Sequence, residues 1–301
     1  MIIVYSFIGK LPKYIVDTVY QSRLFFDGDI YLILNELNSE HLKKLEKYNV
    51  KLINYNLVKD EDFDKVYMDY RNKFVEYSSL GDRRMLFMRS IERFFLLNNF
   101  MVKKELEDCL FMELDNLIYD NPCNWKNKLD KNNIGLMYDN DNRLSTGIMY
   151  VKNHIVLKPL LDHYINYIKN DNGFLSEMKA NFYFYKENRD YIHFLPIHWK
   201  DENKPKLAWE NYDLYESIFD SAAIGIFLFG NDMIHTNGKL LKGTHNKWSK
   251  INYTNYKFIW KKDCKGRNRP YIFKDDKYIL VNNLHIHSKQ LHLALSKSFN
   301  L

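Results

Sequence analysis

The sequence predicts an α/β protein, with a mostly parallel, doubly wound sheet, helices on its faces, and a C-terminal β-meander. Three observations carry this. Short apolar runs alternate with stretches of helical spacing from the first residues onward, as in strand-helix-strand units. A later apolar run, residues 110–114, has the look of another central strand and leads into acidic residues. Residues 256–287 hold strand-like runs separated by turn residues, at Lys265-Gly266 and Asp275-Asp276.

Taken in order, residues 2–7 form a continuous apolar run and read as a buried first strand. Pro12 suits a helix start, and Ile15, Val19 and Leu24 or Phe25 give residues 14–26 helical spacing. Residues 29–35 read as the second strand, 39–48 as a helix and 50–55 as a short strand. Residues 83–106 form a long helical stretch with Leu86, Ile91, Phe94, Phe95 and Leu97 as its apolar positions. It carries Arg83, Arg84, Arg89 and Arg93. A strand at 144–151 is approached through small polar residues, and a helix at 156–168 follows. Residues 170–215 are aromatic and irregular, with a candidate strand at 191–196, and 219–229 read as a buried helix. No repeat or linker is visible. The chain therefore reads as one domain, 1–301, with a first half at 1–120 and a second at 121–301.

With 301 residues and 46% hydrophobic content, the chain can bury a sizeable core. Aromatics are dense, with 23 Tyr and 20 Phe, while 11 Gly and 6 Pro argue against a low-complexity protein. The net charge of +6 and a pI near 8.9 suit an anionic ligand. The basic residues are interspersed with acidic ones, and there is no arginine-rich arm or zinc-finger spacing, so nucleic acid is not an expected partner. Cys109, Cys123 and Cys264 show no paired spacing, which fits a reducing compartment. The apolar start is too short for a signal peptide, and no stretch reaches the roughly 18 apolar residues of a membrane span. A cytoplasmic protein is expected.

Chemistry concentrates in two places. Cys109-Leu-Phe-Met-Glu-Leu-Asp-Asn-Leu-Ile-Tyr119 ends an apolar run in Glu113 and Asp115. On a strand, spacing two puts both carboxylates on one face, where they repel unless a cation lies between them. Oxygen ligands of this kind suit Mg²⁺ or Mn²⁺ and a diphosphate. The alternative is an acidic, helix-capping turn. Near the other end, His285-Ile-His-Ser-Lys289 again puts two side chains at spacing two, followed by a lysine. Imidazole can complete a carboxylate metal site and an ammonium can neutralise phosphate oxygens. The alternative is a pair of edge-strand histidines.

From residue 2 to residue 291 the order of elements and motifs resembles the GT-A class of nucleotide-sugar-dependent glycosyltransferases. It is similar in particular to uncharacterised bacterial and large-virus glycosyltransferase-like proteins. Phe111-Met-Glu-Leu-Asp-Asn-Leu-Ile resembles the strand with the D-x-D metal motif, with Glu113 for the first aspartate. Ser145-Thr-Gly-Ile-Met resembles the Asn-x-Gly-Val-Met segment of the donor-sugar pocket. Phe219-Asp-Ser-Ala-Ala-Ile-Gly225 and Asn283-Leu-His-Ile-His-Ser-Lys-Gln-Leu291 match in wording and in order.

The resemblance implies a mixed, mostly parallel Rossmann-type sheet. It implies a glycosyltransferase, hexosyl- or pentosyl-, that uses Mn²⁺ or Mg²⁺, a nucleoside diphosphate sugar donor and a glycan or other hydroxyl acceptor. It would work in the cytoplasm of a bacterium or of a virus-infected host cell. The first half would bind nucleotide and the second would shape the sugar and acceptor sites. Glu113, Asp115 and His287 would hold the metal, with His285 the alternative ligand. Ser6, Arg93, Ser145, Thr146 and Lys289 would bind the donor. Asp220 would be the catalytic residue, contacting the acceptor or acting as base or nucleophile, or would cap the helix that follows. A catalytically inactive sugar-nucleotide or glycan-binding module is the other reading. His193, His198 and His235 show no site-like spacing; Trp199, Trp209, Trp248 and Trp260 are expected in core packing or in an acceptor groove.

Overall fold

β1 (Ile2–Phe7) is the axis of the main sheet because both of its faces are covered: Ile3, Val4 and Tyr5 are fully buried. The computed structural model of the chain describes residues 1–37, 39–74, 81–129, 133–170, 176–230, 243–287 and 289–297. α1 (Ile15–Phe25) returns the chain to β2 (Ile30–Leu34), and α2 (Glu40–Leu45) leads to β3 (Val50–Asn54). The Ser39 hydroxyl accepts from the His41 N–H at 3.3 Å and caps α2. α3 (Glu61–Phe74) and α4 (Gly81–Lys104) then carry the chain to β4 (Cys109–Met112), which joins β1 on its other side. β1 to β4 all run parallel.

The chain then leaves the sheet. β5 (Asn116–Ile118) and α5 (Cys123–Lys126) precede the hairpin of β6 (Ile134–Asn140) and β7 (Arg143–Val151). β7 lies antiparallel to β4, and α6 (His154–Lys169) and α7 (Glu177–Glu187) lead to β8 (Ile192–Leu195), parallel to β6. The seven-stranded order is β3-β2-β1-β4-β7-β6-β8. This is a mixed, mostly parallel α/β sheet, as the sequence predicts. The order reverses between β1 and β4, so their carboxyl ends flank the crevice where such sheets hold ligands.

After α8 (Lys206–Trp209), α9 (Tyr212–Tyr215), β9 (Ser217–Ile218) and α10 (Ile224–Phe229), the chain forms the expected meander. β10 (Lys257–Lys262), β11 (Asn268–Lys274) and β12 (Lys277–Val281) make a four-stranded sheet in the order β10-β11-β12-β9. Asp275 and Asp276 both have positive φ, which is what a two-residue hairpin turn requires. β13 (Asn283–His285) pairs antiparallel with β5, and this pairing brings the C-terminal motif to the acidic one.

Several elements differ from the expectation. The strand expected at 110–114 ends at Met112, and Glu113 to Asp115 form a turn in which the Asn116 N–H donates to the Glu113 carbonyl at 3.1 Å. The helix expected from 219 begins at Ile224, because Phe219 and Asp220 are drawn toward neighbouring strands: the Phe219 N–H donates to the Pro196 carbonyl at 2.7 Å. The run through 278–287 breaks at Asn282, whose carbonyl accepts from the Tyr119 N–H at 2.8 Å. Residues 170–215, read as irregular, contain α7 with Ala180, Asn181, Phe182 and Phe184 buried.

Many of the aromatic side chains pack in the core. Phe94 of α4 meets Phe111 of β4 edge-on at 5.6 Å and stacks on Tyr164 of α6 at 5.7 Å. These contacts fix the helix that carries Arg93 against the strand that leads to Glu113.

Candidate functional site

The turn after β4 is held from three directions. The Glu113 N–H donates to the Gly147 carbonyl at 3.0 Å, and the Asn116 amide donates to the same carbonyl at 2.9 Å. The Thr18 hydroxyl of α1 donates to the Leu114 carbonyl. The Ile286 N–H donates to the Asp115 carbonyl at 2.8 Å. Asn283 then ties the two strands, donating to Asn116 Oδ1 at 2.7 Å and to the Asp220 carbonyl at 3.0 Å.

Within this frame His285 lies between the carboxylates. Its Nε2 is 3.0 Å from Glu113 Oε2 and 3.2 Å from Asp115 Oδ1. The His287 ring stands edge-on to it, 4.5 Å between centroids. Asp115 Oδ2 pairs with the Lys289 ammonium, and Glu113 Oε1 pairs with Arg93 at 2.5 Å. Burial pushes both carboxyls up, but Lys289 and His285 at Asp115, and Arg93 and His285 at Glu113, outweigh it and hold both well below the usual range. Burial alone would lower His285; the two carboxylates outweigh it and push the imidazole up to about 10. The repulsion expected between two bare carboxylates is therefore offset by side-chain cations.

The same groups fit a divalent cation. Asp115, His285 and His287 each offer a ligand atom, all within 4.8 Å of one another. His285 Nε2, though close to two carboxylates, is buried without an aligned hydrogen-bond partner among the described residues. Its separations of 3.0 and 3.2 Å from carboxylate oxygens match the roughly 3 Å between neighbouring ligands around an octahedral cation with ~2.1 Å bonds. A carboxylate with imidazoles suits Mn²⁺ better than it suits Mg²⁺. Bound there, the cation would supply charge to neutralise a leaving diphosphate.

The remaining predicted residues fall into two groups. Arg93 and Thr146 join the site: the guanidinium donates to Thr146 Oγ1 at 3.1 Å and packs over the Phe111 ring. Ser145 is buried beside them, its hydroxyl accepting from the Gly147 N–H at 3.3 Å. Lys289 adopts a left-handed φ of 61° that turns it toward Asp115. Ser6 lies at the end of β1, its buried hydroxyl without a hydrogen-bond partner among the described residues.

Asp220 lies close to the site, with its carboxylate turned to the backbone. Its Oδ1 accepts from the N–H groups of Ala223 and Ile224 at 2.7 and 2.8 Å. Its Oδ2 accepts from Gly225 at 2.7 Å and from the His285 N–H at 2.9 Å. It is 1% exposed, and both oxygens are committed to backbone. This is the capping alternative, extended to hold β13 as well. His193 and His198 sit in the core, the latter between Trp199 and Tyr256, with its ring nitrogens 2.7 and 3.0 Å from their oxygens. His235 lies outside the described residues. Trp199 is buried, while Trp248 and Trp260 are exposed.

Sequence reasoning missed several members. Gly147 belongs by sequence to a segment resembling a donor pocket, yet the contact that demands glycine is with His285. A Cβ there would lie 2.6 Å from His285 Nδ1 and 3.0 Å from Asn116 Nδ2. Tyr14, the residue before α1, lies under Lys289, its ring centroid 5.8 Å from the ammonium. Glu177, at the first turn of α7, and Asp139 and Arg143, on the β6–β7 hairpin, carry the pattern of charge beyond Arg93. Burial pushes Glu177 up despite the influence of Arg93, and pushes Asp139 up to about 6 despite Arg143. Arg93 Nε, Glu177 Oε2, Arg143 Nε and Asp139 Oδ1 are buried with no hydrogen-bond partner among the described residues. Nothing in their local sequence marks them, since only the packing of α7 on β7 brings them into register.

No protein-family model matches the sequence, and no curated protein matches it. Among solved structures, the chain is similar to mouse xyloside xylosyltransferase 1 in its apo form, at 14% identity and TM-score 0.44, over 65% of this chain and 85% of that one. It is similar to the galactosyltransferase LgtC in complex with donor and acceptor sugar analogues, at 13% identity and TM-score 0.41, over 65% of this chain and 73% of that one. It is also similar to core-mannan synthase A from Aspergillus fumigatus in its Mn/GDP form, at 7% identity and TM-score 0.43, over 64% of this chain and 72% of that one. These likenesses to glycosyltransferases are remote and concern the fold alone.

Proposed function

We propose that the protein transfers a sugar from a nucleoside diphosphate sugar to a glycan or other hydroxyl acceptor with the help of Mn²⁺ or Mg²⁺. One observation carries the reading: Asp115, His285 and His287 converge at the carboxyl end of β4, in the crevice where the strand order reverses, with Lys289 beside them. In the reaction the bond from the sugar anomeric carbon to diphosphate oxygen breaks, its electron pair leaving with the diphosphate. The acceptor oxygen forms the new bond, and its proton passes to a diphosphate oxygen. Lys289 stabilises the charge that grows on the leaving group.

In this reading the half from 1 to 120 holds the nucleotide, with Ser6 at the base or ribose. The half from 121 to 301 holds sugar and acceptor, in the cytoplasm. Glu113 orients Arg93 through Oε1 and lies beside His285 through Oε2, which serves as a further ligand. Arg93, Thr146, Glu177, Arg143 and Asp139 form a buried polar row whose unpartnered atoms suit sugar hydroxyls, since a buried polar group without a partner is costly. Asp220 acts as a positioning residue. Its commitment to four backbone N–H groups is also what favours the second reading, an inactive sugar-nucleotide or glycan-binding module, because it leaves no free carboxylate at that position.

Release of nucleoside diphosphate is measured across a panel of sugar nucleotides, with and without Mn²⁺ and with candidate acceptors. Mn²⁺-dependent release that rises with an acceptor is the expected result. Metal-assisted binding with no release supports the inactive module, and binding that ignores the metal removes the site from both readings.

A further inference from the structure

The outer face of the C-terminal sheet plays no part in the site above. Cross-strand pairing puts Lys257, Ile259 and Lys261 of β10 on one side with Tyr271 and Phe273 of β11 and Tyr278 of β12. None of the six is buried, and Tyr278 is 46% exposed. On the opposite face Pro270, Ile272 and Ile279 are buried against the body of the protein. Lys257 and Lys261 are the lysines of this side, and Arg269, opposite Lys261, is already paired with Asp120 at 2.8 Å. Residues 257–281 as a whole carry eight Lys and Arg against three Asp, a net +5 out of +6 for the whole chain. The three aspartates lie in the turns, Asp263 held by Arg267 and Asp275 by Lys274, so none is on this face.

We propose that this face docks the protein on an anionic lipid bilayer. Three features choose that partner over other polyanions. The Lys261 ammonium lies 3.5 Å from the Tyr278 ring centroid and that of Lys257 lies 5.5 Å from the Phe273 centroid, covering the ring faces on which bases or sugars would stack. The face offers no carboxylate or carboxamide to bond sugar hydroxyls. Ile259 and the rings sit among the lysines on a flat sheet rather than in a groove. A headgroup layer takes both kinds of group at once: ammonium ions meet lipid phosphates while aromatic and aliphatic side chains settle at the acyl boundary.

The test is co-sedimentation of the full chain with vesicles of phosphatidylcholine alone and of phosphatidylcholine mixed with phosphatidylserine. The protein is expected to sediment with the mixed vesicles, less so in high salt, and to leave the neutral ones alone. Lys257→Glu with Lys261→Glu is expected to weaken that binding by at least about tenfold without lowering the melting temperature. Lys43→Glu with Lys44→Glu, on exposed positions of α2, changes the net charge equally and is expected to leave binding near the native level. Absent binding, equal binding to both vesicles, or an equal loss in the α2 variant overturns the proposal. So does binding to single-stranded RNA or an anionic polysaccharide in place of vesicles.

Discussion

Asp115 lies between His285 at 3.2 Å and the Lys289 ammonium, and that setting decides what its loss does. Asp115→Asn removes the charge that would hold the cation, and turnover is expected to fall roughly a hundred- to thousandfold, about 3–4 kcal/mol. Because the carboxyl is held below its usual range by Lys289 and His285, the variant also leaves the buried His285 imidazolium and the exposed Lys289 ammonium with one partner fewer, and the metal-free protein should melt earlier. Mn²⁺ titration followed by calorimetry, with melting of the metal-free protein, separates the two effects; a variant that turns over normally removes Asp115 from the metal site. Asp139 makes the opposite case. Burial raises its carboxyl to about 6, so ionising it in the folded state is unfavourable, and the stability present below the ordinary carboxylate range is lost as pH rises through about 6. Asp139→Asn is thus expected to be stabilising at pH 7, by an amount of order 2–3 kcal/mol, and nearly neutral at pH 4. Melting curves of both proteins across that range test the sign; a gap that closes as pH rises contradicts it.

α10 and β13 are joined through Asp220, which accepts N–H groups from both. Asp220→Asn turns one acceptor oxygen into an NH₂ facing N–H donors. A loss of about 2–4 kcal/mol follows from the broken cap and the unsatisfied donors. Nucleoside diphosphate release per folded molecule is expected to stay within a few-fold, as for a positioning residue, and a near-complete loss in folded protein would restore the catalytic role. β7 meets β13 through Gly147. Gly147→Ala places a methyl 2.6 Å from His285 Nδ1, and because His285 is pinned by its own backbone bond, the ring must give way. The expected result is Mn²⁺ affinity reduced at least about tenfold, roughly 1.4 kcal/mol, with a smaller change in melting. Unchanged affinity would mean that His285 is not a ligand.

At the scale of the molecule, a cation that binds only the folded chain stabilises it by mass action. At a free concentration a hundred times its Kd that is about 2.7 kcal/mol, and for 301 residues a rise in melting temperature of roughly 4 °C. EDTA should abolish the rise, and the Asp115→Asn protein should show little of it. A wild-type melting temperature indifferent to Mn²⁺ and EDTA argues against a cation in this crevice.

The apolar runs, their alternation with helical spacing and the turns at Gly266 and Asp275-Asp276 determined the α/β class and the meander, because burial and backbone preference act on neighbouring residues. The pairs Glu113 with Asp115 and His285 with His287 were legible too, as unusual chemistry at the ends of apolar runs. Yet the reason given for the first pair, a shared strand face, does not hold: the strand stops at Met112, and the pair is gathered by a turn and by His285. Asp220 shows the same limit, since a carboxylate before a small-residue helix reads alike whether it meets substrate or four N–H groups. The partners of Arg93 and the close approach of His285 to Gly147 depend on contacts between segments far apart in the chain. The sequence by itself determined which residues could carry charge and metal chemistry. Only the tertiary structure decided which of them meet and which are consumed by the backbone, because side-chain packing and hydrogen bonding are settled by distance in space.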